Sequence, residues 1–152
     1  MKRSIVLVIA LVVVIGGISA GLSLATPGAG TVSAEFGRRT VQALHVNMSK
    51  KGDIVVAENS YAPGGYSGWH SHPGKVVIAV QRGAITIYRG DDPQCQGKTF
   101  QAGQVFIERP GVVYDGRNES TTTAAVLNAT FFNVPEGGAV RIDQPQPSNC
   151  SF

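Results

Sequence analysis

The sequence predicts an all-β domain, and three observations support this class. After residue 40, short runs rich in Val, Ile, Thr and Phe alternate with clusters of Gly, Pro, Asn and Asp, the pattern of strands joined by turns. No stretch after residue 26 keeps the 3.6-residue period of an amphipathic helix. The 152 residues suffice for one domain with a buried core. Many short strands at close spacing favour a sandwich or a small barrel.

The predicted strands follow one another with turn residues between them. In order they are residues 41–46, 54–61, 66–72, 76–81, 84–89, 99–100, 104–108, 112–115 and 122–134, with an edge strand at 139–143. The clearest turn is Arg82-Gly83, which reads as a hairpin between two apolar runs. The core is predicted to contain Val55, Val77, Ile85, Ile87, Val105, Ile107, Val126 and Phe131.

Residues 1–25 predict a signal peptide or a membrane anchor. Lys2 and Arg3 precede an apolar run, and Ser23 and Ala25 are small residues at the positions that signal peptidase reads. Cleavage is favoured because Gly and Ser dilute the second half of the run, whereas an uncleaved run of 20 residues, 5–24, would just span a bilayer. Either way we expect a secreted or extracytoplasmic domain, in the periplasm or cell envelope. A linker at 26–37, a domain at 38–143 and a C-terminal tail at 144–152 complete the predicted organisation.

The charge pattern argues against nucleic-acid binding. The full chain carries 13 basic and 10 acidic residues, but Lys2 and Arg3 belong to the export segment. Without them, 11 basic and 10 acidic residues remain, a net charge of +1, and no basic stripe is present. Contact with a membrane is therefore expected only through an uncleaved N-terminal segment.

Cys95 and Cys150 predict one disulfide, because an exported chain with an even number of cysteines usually pairs them. Cys95 lies in a polar loop and Cys150 lies two residues from the end of the chain. A bridge between them would hold the tail against the domain and stabilise it by about 4 kcal/mol on the loop-closure estimate.

The strongest candidate metal ligands are His70 and His72. Side chains at i and i+2 of a strand lie on the same face, so the two imidazoles would point the same way at a separation suited to one metal ion. Tyr66 and Trp69 precede the pair and are candidate ligand-binding residues at a pocket mouth, although aromatic residues there more often pack in a core or rim.

The residues around the histidine pair resemble the two motifs of the cupin superfamily. The first motif, G-x5-H-x-H-x3,4-E-x6-G, is matched by Gly64, His70, His72 and Gly83. The second, G-x5-P-x-G-x2-H-x3-N, is matched by Gly103, Gly111 and Asn118. The segment from Trp69 to Gly74 and the C-terminal residues also look like those of small exported single-domain bacterial cupins. The resemblance implies a double-stranded β-helix, the cupin jelly-roll barrel, with a metal ion in its lumen.

The metal site that the resemblance implies is degenerate here. The family holds its ion with two His and a Glu from the first motif and a His from the second, but Val76 stands at the Glu position and Tyr114 at the second His position. His70 and His72 suit Fe, Cu, Zn or Ni. Tyr114 could ligate as a phenolate, which favours ferric iron or Cu(II) over Mn(II), or could hydrogen-bond a ligand instead.

A carboxylate from a neighbouring strand could complete the site, and the sequence offers Glu58 and Glu108. Both are expected to face solvent. We expect Asn118 to hold a turn through bonds from its side chain to the backbone.

Three functions remain open on the sequence. The first is an exported protein that binds a small molecule, with or without a metal ion, in the barrel lumen. The second is a metal-dependent oxygenase or isomerase that uses Fe or Cu, and the third is a non-catalytic structural module of the envelope. The chain is a monomer or a homodimer paired through edge strands.

Overall fold

The computed structural model describes residues 35, 37–42, 44–48 and 50–152. The chain divides into two units, residues 1–33 and 34–152, and every described residue belongs to the second. The predicted signal peptide or anchor and most of the predicted linker therefore lie outside the described residues. The described part of the chain contains no helix with the length and apolar character needed to cross a membrane.

The described residues form ten strands and no helix, which confirms the predicted all-β class. They are β1 Gly37–Arg38, β2 Asp53–Tyr61, β3 His70–Ser71, β4 Val76–Arg82, β5 Ala84–Arg89, β6 Lys98–Gln101, β7 Gly103–Glu108, β8 Tyr114–Arg117, β9 Ala125–Val134 and β10 Ile142–Asp143. One five-stranded sheet has the order β1-β7-β4-β9-β2, and the other has the order β10-β3-β8-β5-β6.

The two sheets form the double-stranded β-helix that the sequence predicts. From β2 to β10 the chain changes sheet at every connection except the one between β5 and β6. Gly83 makes the crossing from β4 to β5 with a φ of 71°, and a Cβ there would lie only 2.5 Å from the Ala124 carbonyl oxygen. Glycine is therefore required at this turn both by conformation and by space, and the hairpin expected here is replaced by a crossing between the sheets. Side chains from both sheets share one apolar core.

Half of the predicted core residues are buried. On β4 and β7 the residues that face the core are the sequence neighbours of those predicted. Ile85, Ile87, Val126 and Phe131 are buried as predicted, and Val55 packs partly against the core. The other three, Val77, Val105 and Ile107, are only half-buried and lie on the outer face of β4 and β7. The inner face of these two strands instead carries Val76, Ile78, Val80, Phe106 and Glu108.

The predicted first strand is wrong for the residues that can be described. Residues 41, 42 and 44–46 are in no strand, and Val41 and Leu44 are exposed beside the outer face of β4 and β7. Only β1, which precedes them, joins that sheet, and it does so parallel to β7. The apolar residues of this arm cover a sheet face without entering the ladder.

The C-terminal tail is held to the domain at several points. Cys95 and Cys150 form the predicted disulfide, with their Cα atoms 5.4 Å apart. The amide N–H of Gln144 donates to the Trp69 carbonyl oxygen at 3.0 Å, and the Asn149 side chain donates to the Asp92 carbonyl oxygen at 2.6 Å. The tail therefore packs on the loops at one end of the second sheet.

Candidate metal centre

The structure brings the two predicted histidines together in the interior of the barrel. His70 pairs with Tyr114 of β8 on one side and with Asp143 of β10 on the other, so its strand is held between two neighbours. The side chains of His70 and His72 are buried, and their rings meet edge to face with centroids 4.8 Å apart. The i, i+2 spacing places both rings on one face, as the sequence predicts.

Backbone carbonyl groups orient both imidazole rings. Nδ1 of His70 lies 2.8 Å from the Gly68 carbonyl oxygen, and Nδ1 of His72 lies 2.6 Å from that of Val140. A carbonyl oxygen can only accept, so each Nδ1 carries the proton and donates. Each Nε2 is then the ring atom left to bind a cation. Metal-ligating histidines are commonly fixed in this way by a carbonyl partner.

Glu108 supplies a carboxylate to the same point, which corrects the expectation that it faces solvent. It lies on β7 directly opposite Val76 of β4, and only 6% of its surface is exposed. Its Oε2 atom is 3.0 Å from Nε2 of His72. The ligand atoms of His70, His72 and Glu108 all lie within 4.8 Å of one another. Glu58 is exposed, as expected.

The three side chains are suited chemically to a metal ion. An imidazole nitrogen lone pair and a carboxylate oxygen 3.0 Å apart repel each other unless a proton or a metal cation lies between them. Two imidazoles with one carboxylate form the donor set of non-haem iron sites and of many catalytic zinc sites. Burial, the largest effect, lowers the pKa of His70, so its imidazole stays neutral and keeps a lone pair near neutral pH.

The phenol of Tyr114 is placed differently from the histidines. Its side chain is buried, and its hydroxyl accepts a hydrogen bond from the Arg109 backbone N–H at 2.9 Å. Tyr114 lines a groove with Arg89, Lys98 and Arg109 and is not among the residues around the cavity that borders the cluster. Burial raises the pKa of Tyr114, which disfavours a phenolate. A ligating role for Tyr114 stays a prediction that this placement does not support.

A cavity of about 120 Å³ in the lumen borders the three-residue cluster. Most of its wall is apolar, with side chains such as Ile78, Phe106, Leu127 and Phe131. The polar residues in its wall, besides the cluster, are Asn59, Tyr61, Ser67 and Arg141. The cavity thus places room for a small molecule beside the metal-ligand candidates.

The two predicted aromatic ligand-binding residues lie outside this cavity. Tyr66 is 66% exposed, and the Arg117 guanidinium lies 5.3 Å from its ring centre. Trp69 is buried, with its ring centroid 6.1 Å from that of Phe152 in the C-terminal tail. Trp69 is thus a buried packing residue and Tyr66 a surface residue, in line with the alternative that these aromatic residues pack and do not line a pocket. Ligand binding by either residue stays a prediction.

Sequence reasoning missed Arg141, Tyr61 and Asn59 as residues of the cavity wall. Asn59 and Tyr61 share one face of β2, and that alternation was readable from the sequence. Arg141 reaches the cavity because β10 pairs with β3, with Ile142 opposite Ser71. No local pattern reports that long-range pairing.

The comparison with family models identifies the class of protein. A model of the cupin domain matches residues 57–130, a segment that contains His70, His72 and Glu108. The chain carries a cupin domain and belongs to the cupin superfamily, as the motif resemblance implied. No curated protein matches the sequence.

Several solved structures are similar to this chain. One is an uncharacterised conserved protein with a double-stranded β-helix domain from Klebsiella pneumoniae, with 18% identity, a TM-score of 0.49 and coverage of 74% of this chain and 93% of that one. Another is an RmlC-like cupin from Shewanella frigidimarina, at 19% identity, TM-score 0.47 and coverage of 58% and 73%. A third is a cupin domain from Bordetella pertussis, at 22% identity, TM-score 0.44 and coverage of 57% and 86%.

Proposed function

We propose that this protein binds one divalent metal ion through His70, His72 and Glu108 and holds a small molecule beside that ion in the barrel lumen. The observation that carries the proposal is the convergence of three buried ligand atoms within 4.8 Å of one another. These atoms border a cavity of about 120 Å³, large enough for a small ligand. The carboxylate of Glu108 takes the role of the motif Glu, whose position in this chain is occupied by Val76.

The surroundings of the cluster favour a metal ion over a purely structural ion pair. Carbonyl groups hold both imidazole rings in the tautomer that leaves Nε2 free to bind a metal ion. Fe, Cu, Zn, Ni and Mn are the candidate ions for a donor set of two nitrogens and one oxygen. A bound ion would supply Lewis-acid polarisation and open coordination positions toward the cavity.

A second candidate function is a metal-dependent oxygenase or isomerase that uses Fe or Cu. Two imidazoles and one carboxylate leave positions open, which is the arrangement of non-haem iron oxygenases. A structural module of the envelope would require neither a buried ligand set nor a cavity beside it. The cluster therefore favours the binding and catalytic proposals over the structural one.

We further propose that the domain works outside the cytoplasm. The Cys95–Cys150 disulfide is consistent with an oxidising compartment, since such bonds are rare in the cytosol of mesophiles. Export by residues 1–25, in a secreted or anchored form, and a homodimer paired through edge strands stay predictions.

Elemental analysis of the purified protein tests the metal site. After growth in medium supplied with Fe, Cu, Zn, Ni and Mn, we expect about one metal ion per chain. The double variant His70→Ala/His72→Ala is expected to lose the ion. His45→Ala is the matched control, because His45 is exposed and outside the cluster, and it is expected to keep the ion. A folded wild-type protein that stays metal-free in every medium would refute the proposal.

Catalysis is separated from binding by a second readout on the metal-loaded protein. Oxygen consumption or isomerisation of a bound small molecule, lost in the double histidine variant, would establish the enzyme. Saturable binding without turnover would establish the binding protein.

A further inference from the structure

We propose that the ligand of the lumen cavity is a small carboxylate whose charged group binds Arg141; this rests on the proposed metal site at the inner end of the cavity. Arg141 lies in the cavity wall together with His70, His72 and Glu108. Its side chain is 37% exposed, whereas those of His72 and Glu108 are buried. This difference in exposure places Arg141 at the mouth of the cavity and the metal-ligand cluster at its inner end.

The guanidinium of Arg141 has free donors. Its Nε donates to Oδ1 of Asp143 at 2.7 Å, and within the described residues its two Nη atoms donate to no other group. Asp143 is itself exposed, so this pair orients the guanidinium without covering it. The two Nη groups of an arginine match the two oxygens of a carboxylate.

Two other polar side chains of the cavity wall also lack partners among the described residues. Neither the hydroxyl of Tyr61 nor the amide of Asn59 makes a hydrogen bond to them. Burial raises the pKa of Tyr61, so its hydroxyl remains a donor. Ser67 differs, because its Oγ already bonds Asp115 and accepts from the Gly116 N–H at 2.8 Å. The cavity thus offers unpaired donors, which an oxygen-rich anion would satisfy.

The size and polarity of the cavity favour a carboxylate over a phosphate. A cavity of about 150 Å³ holds benzene, so the 120 Å³ here suits a ligand of roughly six non-hydrogen atoms. Among the described residues that line the cavity, Arg141 is the one Lys or Arg side chain, and more than half of the lining residues are apolar. A carboxylate with a short organic remainder matches this wall, because the remainder packs on its apolar part, whereas phosphate presents polar oxygens on every side.

Pyruvate and pyruvamide form a matched pair of probes for this inference. Each has about six non-hydrogen atoms, within the size that the cavity permits, but only pyruvate is charged. Binding is measured by calorimetry on the full chain, after its metal content has been determined. We expect pyruvate to bind at least about tenfold more tightly than pyruvamide, since a hydrogen bond to a charged group contributes that much.

Substitution at Arg141 tests whether this residue causes the preference for pyruvate over pyruvamide. We expect Arg141→Gln to weaken pyruvate binding at least about tenfold, to weaken pyruvamide binding much less and to keep the metal content of the wild type. Arg141→Lys is expected to restore part of the preference. Arg82→Gln, at an exposed position at the end of β4, is the matched control and should behave as the wild type.

Each outcome of this experiment decides the inference. If Arg141→Gln keeps both the metal and the preference for pyruvate, the inference is wrong while the proposed metal site stands. Equal binding of the two probes, or tighter binding of inorganic phosphate than of pyruvate, also overturns it. A wild-type chain that takes up no metal overturns the proposed function, and the inference as stated falls with it.

Discussion

Val76 and Glu108 face each other across the antiparallel pair of β4 and β7, and both lie in the wall of the lumen cavity. Opposed side chains on one face of such a pair have Cβ atoms roughly 4.5–5.5 Å apart. A carboxylate at position 108 can therefore reach the space that one at position 76 would reach. The carboxylate of the proposed metal site therefore comes from the strand next to the one that the cupin motif predicts.

The burial of His70 makes the stability of the metal-free protein depend on pH. Burial lowers the pKa of His70 below its ordinary value of 6.5, so just below that value the unfolded chain binds more protons than the folded one. The stability of the metal-free protein therefore rises with pH and is lost as pH falls from about 6.5 through the lower pKa of the folded state.

We expect the melting temperature of the metal-free protein to fall between about pH 7.5 and pH 5, and to fall less in His70→Gln. Thermal unfolding at a series of pH values, with a chelator present, makes the measurement. His45→Gln, at an exposed histidine, controls for a general effect of histidine loss. An identical pH dependence in His70→Gln and the wild type would contradict this reading of His70.

One wrong assumption, about which face of β4 and β7 points inward, explains both the wrong core residues on these strands and the expectation that Glu108 faces solvent. The run at 76–80 and the segment at 105–107 are apolar on both faces, so alternation cannot say which face is inside. Val41 and Leu44 lie beside the outer face, which is why it too is apolar. If Phe106 faces the interior, Glu108 must face it too, because side chains two residues apart on a strand point to the same face.

The inner and outer faces should differ in energy. Ile78→Ala opens a cavity in the core and is expected to cost about 2–5 kcal/mol, whereas Ile107→Ala on the half-buried outer face should cost clearly less. Urea unfolding of the two variants compares the same chemical change on opposite faces. A larger loss for Ile107→Ala would contradict the observed phase of these strands.

Local signals predicted other elements well. Asn118 holds a turn, as predicted, through bonds from its side-chain amide to the Tyr61, Ala62 and Thr123 carbonyl oxygens. The chain also turns at Arg82-Gly83 as predicted, but the hairpin expected there is wrong, because β4 and β5 belong to different sheets and do not pair with each other. The predicted strand at 66–72 is shorter in the structure, with β3 limited to His70–Ser71 and a single bridge at Tyr66. Turn chemistry is local, whereas strand length depends on partners elsewhere in the chain.

For the whole molecule, the sequence pattern was enough for the fold class but not for the site. Strand spacing, turns and the two motifs predicted the barrel. His70 and His72 are neighbours in sequence and could be paired by periodicity alone. Glu108 and Arg141 reach the same cavity only through the pairings of β4 with β7 and of β3 with β10. Such long-range registers are not encoded in any single segment.

The disulfide stabilises the whole domain by closing a long loop. Cys95 and Cys150 are separated by 55 residues, and the loop includes β6 to β10. We expect Cys95→Ser/Cys150→Ser to lose about 4 kcal/mol of unfolding free energy, measured by urea unfolding of the oxidised wild type and the variant. A loss close to zero would show that the tail is held by its hydrogen bonds without the bridge.

The most direct test of the central claim is the metal affinity of a carboxylate moved between the two opposed positions. Glu108→Val is expected to lower affinity for Zn(II) by at least about 10–100-fold, and Val76→Glu/Glu108→Val should recover most of it. Glu58→Val, at an exposed position on β2, should leave the affinity unchanged. A metal site completed by Glu108 is contradicted if Glu108→Val binds Zn(II) as tightly as the wild type, or if the folded Val76→Glu/Glu108→Val variant recovers none of the lost affinity.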